Sequence, residues 1–345
     1  MSDDPRPPGP PAIARSVGLG AVAFSATLIL LFGFASLVSR SAGSPGATLW
    51  ATATQPLQGV ASQAIASASG SGSGSAAPSA QSGPVLVGAG DIADCALDSG
   101  AATAALLDTI GGTVFTAGDN AYPDGSAAEF RDCYATTWGR HLERTKPTAG
   151  NHDWETKGLA GYREYFREKA GPDGASWYSY DLGAWHVIVL DSDCIFVRGC
   201  LPGSPQGIWL EANLKAATAT CTMAIWHHPR FSSGEHGNDA SVWPFWDALY
   251  RAGADVVVNG HDHDYERFGP QDPAGREDKA AGIREFVVGT GGAVLRAFPT
   301  VAAHSEVRIA RTFGVIRFVL HPTSYDWSFI ATSGAVEDSG SGPCH

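Results

Sequence analysis

Short apolar runs recur from Pro84 onward, and several break off at an aspartate or a histidine. Val85 to Gly90 ends at Asp91, and Thr113 to Gly118 ends at Asp119 and Asn120. Thr222 to Trp226 ends at His227 and His228. Ala254 to Val258 comes just before His261 and His263. Runs of this length, bounded by glycine and polar residues, predict buried strands. The pattern predicts strands over 84–90, 113–117, 221–226 and 254–258, with a hairpin of 177–182 and 185–190 around Gly183. Helices are predicted over 99–110, 126–138, 159–170, 206–217 and 242–251, with Trp209 and Leu210 facing the core. The remaining segments, 284–288, 313–320 and 324–331, read as β. A βαβ start, a hairpin and a β-rich end predict an α/β fold of two packed sheets flanked by helices.

The polar residues at the strand ends carry the chemistry. In α/β sheets, ligand sites form at the carboxyl edge of the strands. His261 and His263 are two residues apart, so in an extended segment both imidazoles face one side. The turn Gly150-Asn151-His152-Asp153 adds three more polar side chains. Any one of these groups alone would suit a solvated loop. Together they deliver carboxylates, an amide and imidazoles to every such edge, which is a metal-ligand set.

In order, the groups are Gly90-Asp91, Gly118-Asp119-Asn120, Gly150-Asn151-His152, His227 and Gly260-His261-Asp262-His263. This ordered set resembles the metallophosphoesterase (calcineurin-like) superfamily over about Pro84 to Gly292. One departure is informative. Most of that superfamily has Asp-x-His in the first group, whereas Asp91 is followed by Ile92-Ala93. The second group reads Gly118-Asp119-Asn120-Ala121-Tyr122, which resembles the GDxxY group of the purple acid phosphatases. Gly260 to Arg267, GHDHDYER, also looks like theirs. Those enzymes usually have Asp-x-Gly where this chain has Asp-x-Ala.

The resemblance implies a four-layer α/β/β/α sandwich and a centre of two metal ions bridged by Asp119. The first metal would take Asp91, Tyr122 and His263, of which the carboxylate and the phenolate are hard anionic donors that suit Fe(III). The second would take Asn151, His227 and His261, neutral donors that suit Zn, Mn or Fe(II). A metal-bound hydroxide would attack the phosphorus of a small phosphoester. His227 is preferred to His228 because the histidine of the family it resembles comes directly after the strand. By the resemblance, His152 would contact phosphate or aid the leaving group. His236, in the loop Ser232 to Gly237, matches no group and is a candidate second substrate contact. Asp153, Asp262 and Asp264 are candidates to orient histidine rings. Asp94, Asp98 and Glu266 are expected to cap or solvate.

Composition narrows the partners. The formal net charge is −12 and charged residues make up 17% of the 345. No nucleic acid partner is expected, since binding to its backbone needs basic stripes. Residues 17–38 contain no charge, and Arg6 and Arg15 precede them. Such a helix would span roughly 30 Å, the thickness of a hydrocarbon core. A membrane anchor after a short N-terminal segment, 1–16, is the expectation, with a cleaved export signal as the alternative. Residues 39–83 are rich in Ser, Gly and Ala and predict a flexible linker. The catalytic domain is then 84–345, outside a cell membrane or secreted.

All six cysteines lie beyond the linker, which suggests disulfides in an oxidising compartment. Sequence alone leaves several pairings open. Cys194 with Cys200 closes a short loop and is favoured. Cys95 with Cys133 would tie two ligand loops, leaving Cys221 with Cys344. The reading is a phosphomonoesterase. Phosphodiesterase action on the same site, or a non-catalytic binding module on the same fold, are the alternatives.

Overall fold

The computed structural model describes residues 83–345. The expected segments 1–16 and 17–38, and the linker up to residue 82, lie outside the described residues. Among the described residues no helix is long and apolar enough to cross a membrane.

Two sheets carry the domain. The first orders its strands β15-β14-β13-β1-β3-β5, where β1 is Val85–Ala89, β3 is Thr113–Thr116, β5 is Thr145–Lys146, β13 is Gly314–Leu320, β14 is Ser324–Ala331 and β15 is Val336–Pro343. The second orders β12-β10-β11-β9-β8-β7-β6, where β6 is Tyr178–Leu182, β7 is Trp185–Val189, β8 is Cys221–Ile225, β9 is Val256–Asn259, β10 is Tyr265–Phe268, β11 is Arg284–Val288 and β12 is Ser305–Ile309. Two short bridging strands, β2 (Ala93–Asp94) and β4 (Ala121–Tyr122), pair beside the first sheet. β1 and β3 run parallel, as do β7, β8, β9 and β11.

The two-residue period of the strands builds the layers. Cys221, Met223 and Ile225 of β8 join Val256 and Val258 of β9 and Phe286 and Val288 of β11 in the core shared with the first sheet. The intervening Ala224, Val257 and Val287 turn the other way. There they meet Leu210 of α5 (Pro205–Ala216) and Phe245, Trp246 and Leu249 of α6 (Trp243–Arg251). Trp209 is only half-buried, against the same core. On the other side, Ala104 and Leu107 of α1 (Ser99–Thr109) join the main core. Aromatic rings fill the space between the sheets. Tyr265 stacks on Phe329 at 4.1 Å between ring centres, and Phe286 meets Phe318 at 5.3 Å and Trp327 at 5.5 Å. The result is the helix, sheet, sheet, helix order expected.

Two predicted helices are interrupted. Over 126–138, Ser126 and Glu129 form a capping box for the single turn α2 (Ala127–Glu129). A π-helical turn, Phe130–Tyr134, follows, closed by Ala135 N–H donating to Phe130 O at 2.8 Å. The wider turn lets Phe130 and Tyr134 pack with Tyr165 and Phe166. Over 159–170, α4 (Ala160–Phe166) ends where Arg167 takes a positive φ of 53°. Between these, α3 (Asn151–Glu155) starts at the glycine turn.

Three disulfides join Cys95 to Cys133, Cys194 to Cys200 and Cys221 to Cys344, which is the favoured pairing. Cys221–Cys344 closes a loop with a sequence separation of 123 and ties the chain end to β8. The chain-entropy model gives such a cross-link about 4–5 kcal/mol. The Cys221→Ser, Cys344→Ser double variant is expected to unfold at lower denaturant by about that amount. A midpoint equal to the wild type would show that the bond adds nothing.

Candidate metal centre

The site lies where the two sheets meet at the ends of β1, β3, β8 and β9. Backbone bonds sew the sheets together there. Gly90 N–H donates to Val288 O at 2.8 Å, Asp91 N–H to Gly118 O at 3.0 Å, and Gly260 N–H to His227 O at 3.0 Å. Three of the candidate ligands stand on left-handed backbone: Asp91 at φ 59°, Asp119 at 48° and His261 at 70°. Aspartate and histidine tolerate this region better than most residues, and each instance still costs about 1–3 kcal/mol. The glycines of the groups make room. A Cβ on Gly118, itself at φ 87°, would sit 2.3 Å from His227 Nδ1, and one on Gly150 would sit 2.4 Å from Asp119 Oδ1.

All seven candidate ligands converge, and they do so around two protons. The first is the Tyr122 phenol proton. Tyr122 Oη lies 2.8 Å from Asp91 Oδ1, 3.0 Å from Asp119 Oδ2 and 3.3 Å from His263 Nε2. The second is on His227 Nε2. Its neighbours are Asp119 Oδ2 at 3.2 Å, Asn151 Oδ1 at 3.1 Å and His261 Nδ1 at 3.3 Å. Asp119 Oδ2 belongs to both groups. Its other oxygen accepts from the His152 backbone N–H at 2.8 Å.

The outer hydrogen bonds aim the rings. His227 Nδ1 bonds Ala117 O at 2.8 Å and His263 Nδ1 bonds Val294 O at 2.8 Å. Both therefore turn Nε2 inward, the usual arrangement for a histidine that ligates metal. Asp119, His227 and His261 bring ligand atoms within 4.8 Å of one another, a spacing that suits one cation. Burial alone would raise the Asp119 carboxyl and lower His227. The attraction between the two overrides both, so Asp119 is held low and His227 is pushed up to about 10. Burial raises the Tyr122 phenol well above its usual range, helped by Asp119 and Asp91. Burial and the His227 charge keep His261 neutral. Two buried carboxylates thus hold protons where cations would serve. The donor set fits two metal ions.

The other expected residues sit at the rim. His152 is a third exposed, with Nδ1 2.5 Å from Pro123 O and its ring 4.4 Å from that of Tyr122. His236 stacks over His261 at 4.2 Å. His228 also faces His261, at 4.3 Å, but its Nδ1 bonds Ser192 Oγ at 2.8 Å. His227, not His228, carries the contact with Asp119. The acidic residues act differently from expectation. Asp153 accepts from the Gly150 and Asn120 backbone and from Asn120 Nδ2, so it braces the turn rather than a ring. Asp262 accepts from Ser232 and from the His236 backbone N–H, again not from a ring. Among the described residues, the carboxylate oxygens of Asp264 are buried without a hydrogen-bond partner, so Asp264 orients no ring. Glu266 is fully buried against Ser233 and Ser305 rather than solvated. Sequence reasoning missed Arg296, whose Nη1 lies 2.6 Å from His236 Nε2. It stands in a loop with no periodic pattern, and nothing in the sequence singles it out.

The family profile described as calcineurin-like phosphoesterase matches residues 88–265. A probable purple acid phosphatase 20 of Arabidopsis thaliana is 34% identical over 138 residues, 35% of this chain and 31% of that protein. A phosphoenolpyruvate phosphatase of Allium cepa is 31% identical over 181 residues, 46% of this chain and 36% of that protein. The chain thus spans about a third of the length of these relatives. Among solved structures, the purple acid phosphatase PPD1 from yellow lupin seeds superposes with a TM-score of 0.57 at 18% identity, over 75% of this chain and 53% of that one. That likeness speaks for the fold. With more than half its length matched by the profile and its ligand groups in order, the chain belongs to the calcineurin-like phosphoesterase family, on the side that resembles the purple acid phosphatases.

Proposed function

We propose that this chain is a phosphoesterase with two metal ions that hydrolyses small phosphomonoesters in the manner of the purple acid phosphatases. The observation that carries the reading is the double membership of Asp119 Oδ2 in two donor groups. Asp91, Tyr122 and His263 would complete one group, and Asn151, His227 and His261 the other. The first, with two carboxylates and a phenol, suits Fe(III), and the second suits Zn, Mn or Fe(II). When bound, such ions make water acidic enough to react near neutral pH and draw charge from phosphoryl oxygens.

The chain's own groups hold the substrate and the proton. The Nδ1–H of His152 is committed to Pro123 O, so Nε2 is left to face the leaving-group oxygen. As an imidazolium, with a second proton on Nε2, it can donate that proton as the ester bond breaks. His236, on the opposite side over His261, is the second substrate contact. The three disulfides suit an oxidising compartment, so we place the domain outside the cell, secreted or tethered through residues 17–38.

The test is phosphate release from an aryl phosphate by purified protein with its metal content measured. Release is expected, lost on chelation and restored by adding metal back. Protein that holds two metals and releases no phosphate would refute the reading and favour a binding module.

A further inference from the structure

We propose that Arg296 selects dianionic phosphomonoesters over phosphodiesters, acting with His236 as an anion clamp at the mouth of the site. The inference rests on the phosphomonoesterase reading above and assigns the residue that makes its choice of substrate.

The first argument is the anchoring of Arg296. Its loop is tied to the metal centre at successive points. Gly291 N–H donates to Gly90 O at 2.9 Å, and Ala293 N–H donates to Asp91 O at 2.8 Å. Val294 O then takes the ring proton of His263 at 2.8 Å. Arg296 N–H itself donates to His263 O at 3.0 Å. A long side chain on an exposed loop is usually too mobile to select anything. Here the backbone is bolted to Asp91 and His263, and only the guanidinium reaches out.

The second argument is where it reaches. Arginine has donors only, so the contact at 2.6 Å makes His236 Nε2 the acceptor. The His236 proton is then on Nδ1. The His236 ring lies over His261 at 4.2 Å, directly above a candidate ligand. One guanidinium and one imidazole therefore stand together beside a candidate ligand. Among the described residues, Arg296 also pairs with Glu235, 3.5 Å away and 63% exposed. An exposed pair of that kind is weak and gives way to a better anion.

The third argument is charge. The chain carries a net −12, which repels anions as a whole, so a fixed local cation matters at the entrance. A monoester phosphate bears about 1.5–2 negative charges and one more unesterified oxygen than a diester. A planar guanidinium matches such an oxygen with charge-assisted hydrogen bonds. A diester has that oxygen blocked by carbon and offers less charge.

The experiment compares wild type, Arg296→Ala and Arg296→Lys. Each is loaded with metal and assayed on an aryl phosphate and on the matching bis-aryl phosphodiester, with inorganic phosphate as inhibitor. In Arg296→Ala, KM for the monoester and the inhibition constant of phosphate are expected to rise about 10–100-fold. The diester should lose far less, and metal content should stay at the wild-type level. Arg296→Lys should recover part of the monoester preference, since it keeps charge but not the fork. Equal losses on both esters, or no loss on either, would overturn the proposal while leaving the phosphoesterase reading intact. A metal-loaded wild type that hydrolyses neither ester would instead remove that reading, and this inference with it.

Discussion

Asp119→Ala is expected to leave a folded protein that holds neither metal and has lost hydrolysis by about a thousandfold or more. The reason is the position of one oxygen. Asp119 Oδ2 lies 3.0 Å from Tyr122 Oη and 3.2 Å from His227 Nε2, so both donor groups lose their shared anion at once. The same substitution frees the His152 backbone N–H, which Asp119 Oδ1 accepts at 2.8 Å. Asn151→Ala is the contrast. Asn151 touches only the second group, through His227 at 3.1 Å, so that variant is expected to keep one metal and lose the other. Elemental analysis of both variants, with circular dichroism as the folding control, separates the two effects. An Asp119→Ala protein with full metal and activity would mean that Asp119 does not bridge.

The second large effect is optical. Iron-loaded wild type is expected to show a visible charge-transfer band that is absent from Tyr122→Phe and from the metal-free chain. In the metal-free chain, burial and the two neighbouring carboxylates keep the Tyr122 phenol protonated far above neutral pH. Only a strongly acidic cation in the place of that proton produces a tyrosinate there. Phenylalanine keeps the ring beside His152 and removes the oxygen alone. A band that survives in Tyr122→Phe, or a colourless ferric wild type, would remove the phenolate from the first metal. The protein would then be a phosphoesterase of divalent metals only.

Much of this site could be read in the chain because its residues sit at predictable places. A central strand needs apolar side chains, so the residue where the run stops marks the sheet edge. Asp91, Asp119 and His227 announce themselves in that way, and His261 follows two residues after β9 ends. The same logic recovered the inner strands, whose alternate residues fill two different cores. It failed where neighbours impose the structure. β15 reads VEDSGSGP and has little to bury. It is a strand because β14 templates it, and because Gly340 and Gly342 lie flat against Trp327 and Tyr325. Asp338 adds the polar reason, since it accepts from Tyr265 at 2.7 Å and from Arg267 Nε at 2.8 Å. Neither partner is near it in sequence. The broken helix at 126–138 has a similar cause. Phe130 and Tyr134 must meet Tyr165 and Phe166, and a regular α-helical pitch gives way to that packing. Arg296 stayed hidden for the same reason: its role depends on a loop folded back onto His263, not on any local motif.

The two trapped protons also make the site an ion exchanger. On the reading proposed above, each cation that enters displaces one of them, from Tyr122 or from His227, so loading acidifies the medium. While those groups are protonated, the apparent affinity for each metal falls about tenfold for every unit of acidification. On that reading the acid limit of the protein is a competition between hydrogen ions and metal for the same two places, and stronger Lewis acids extend it.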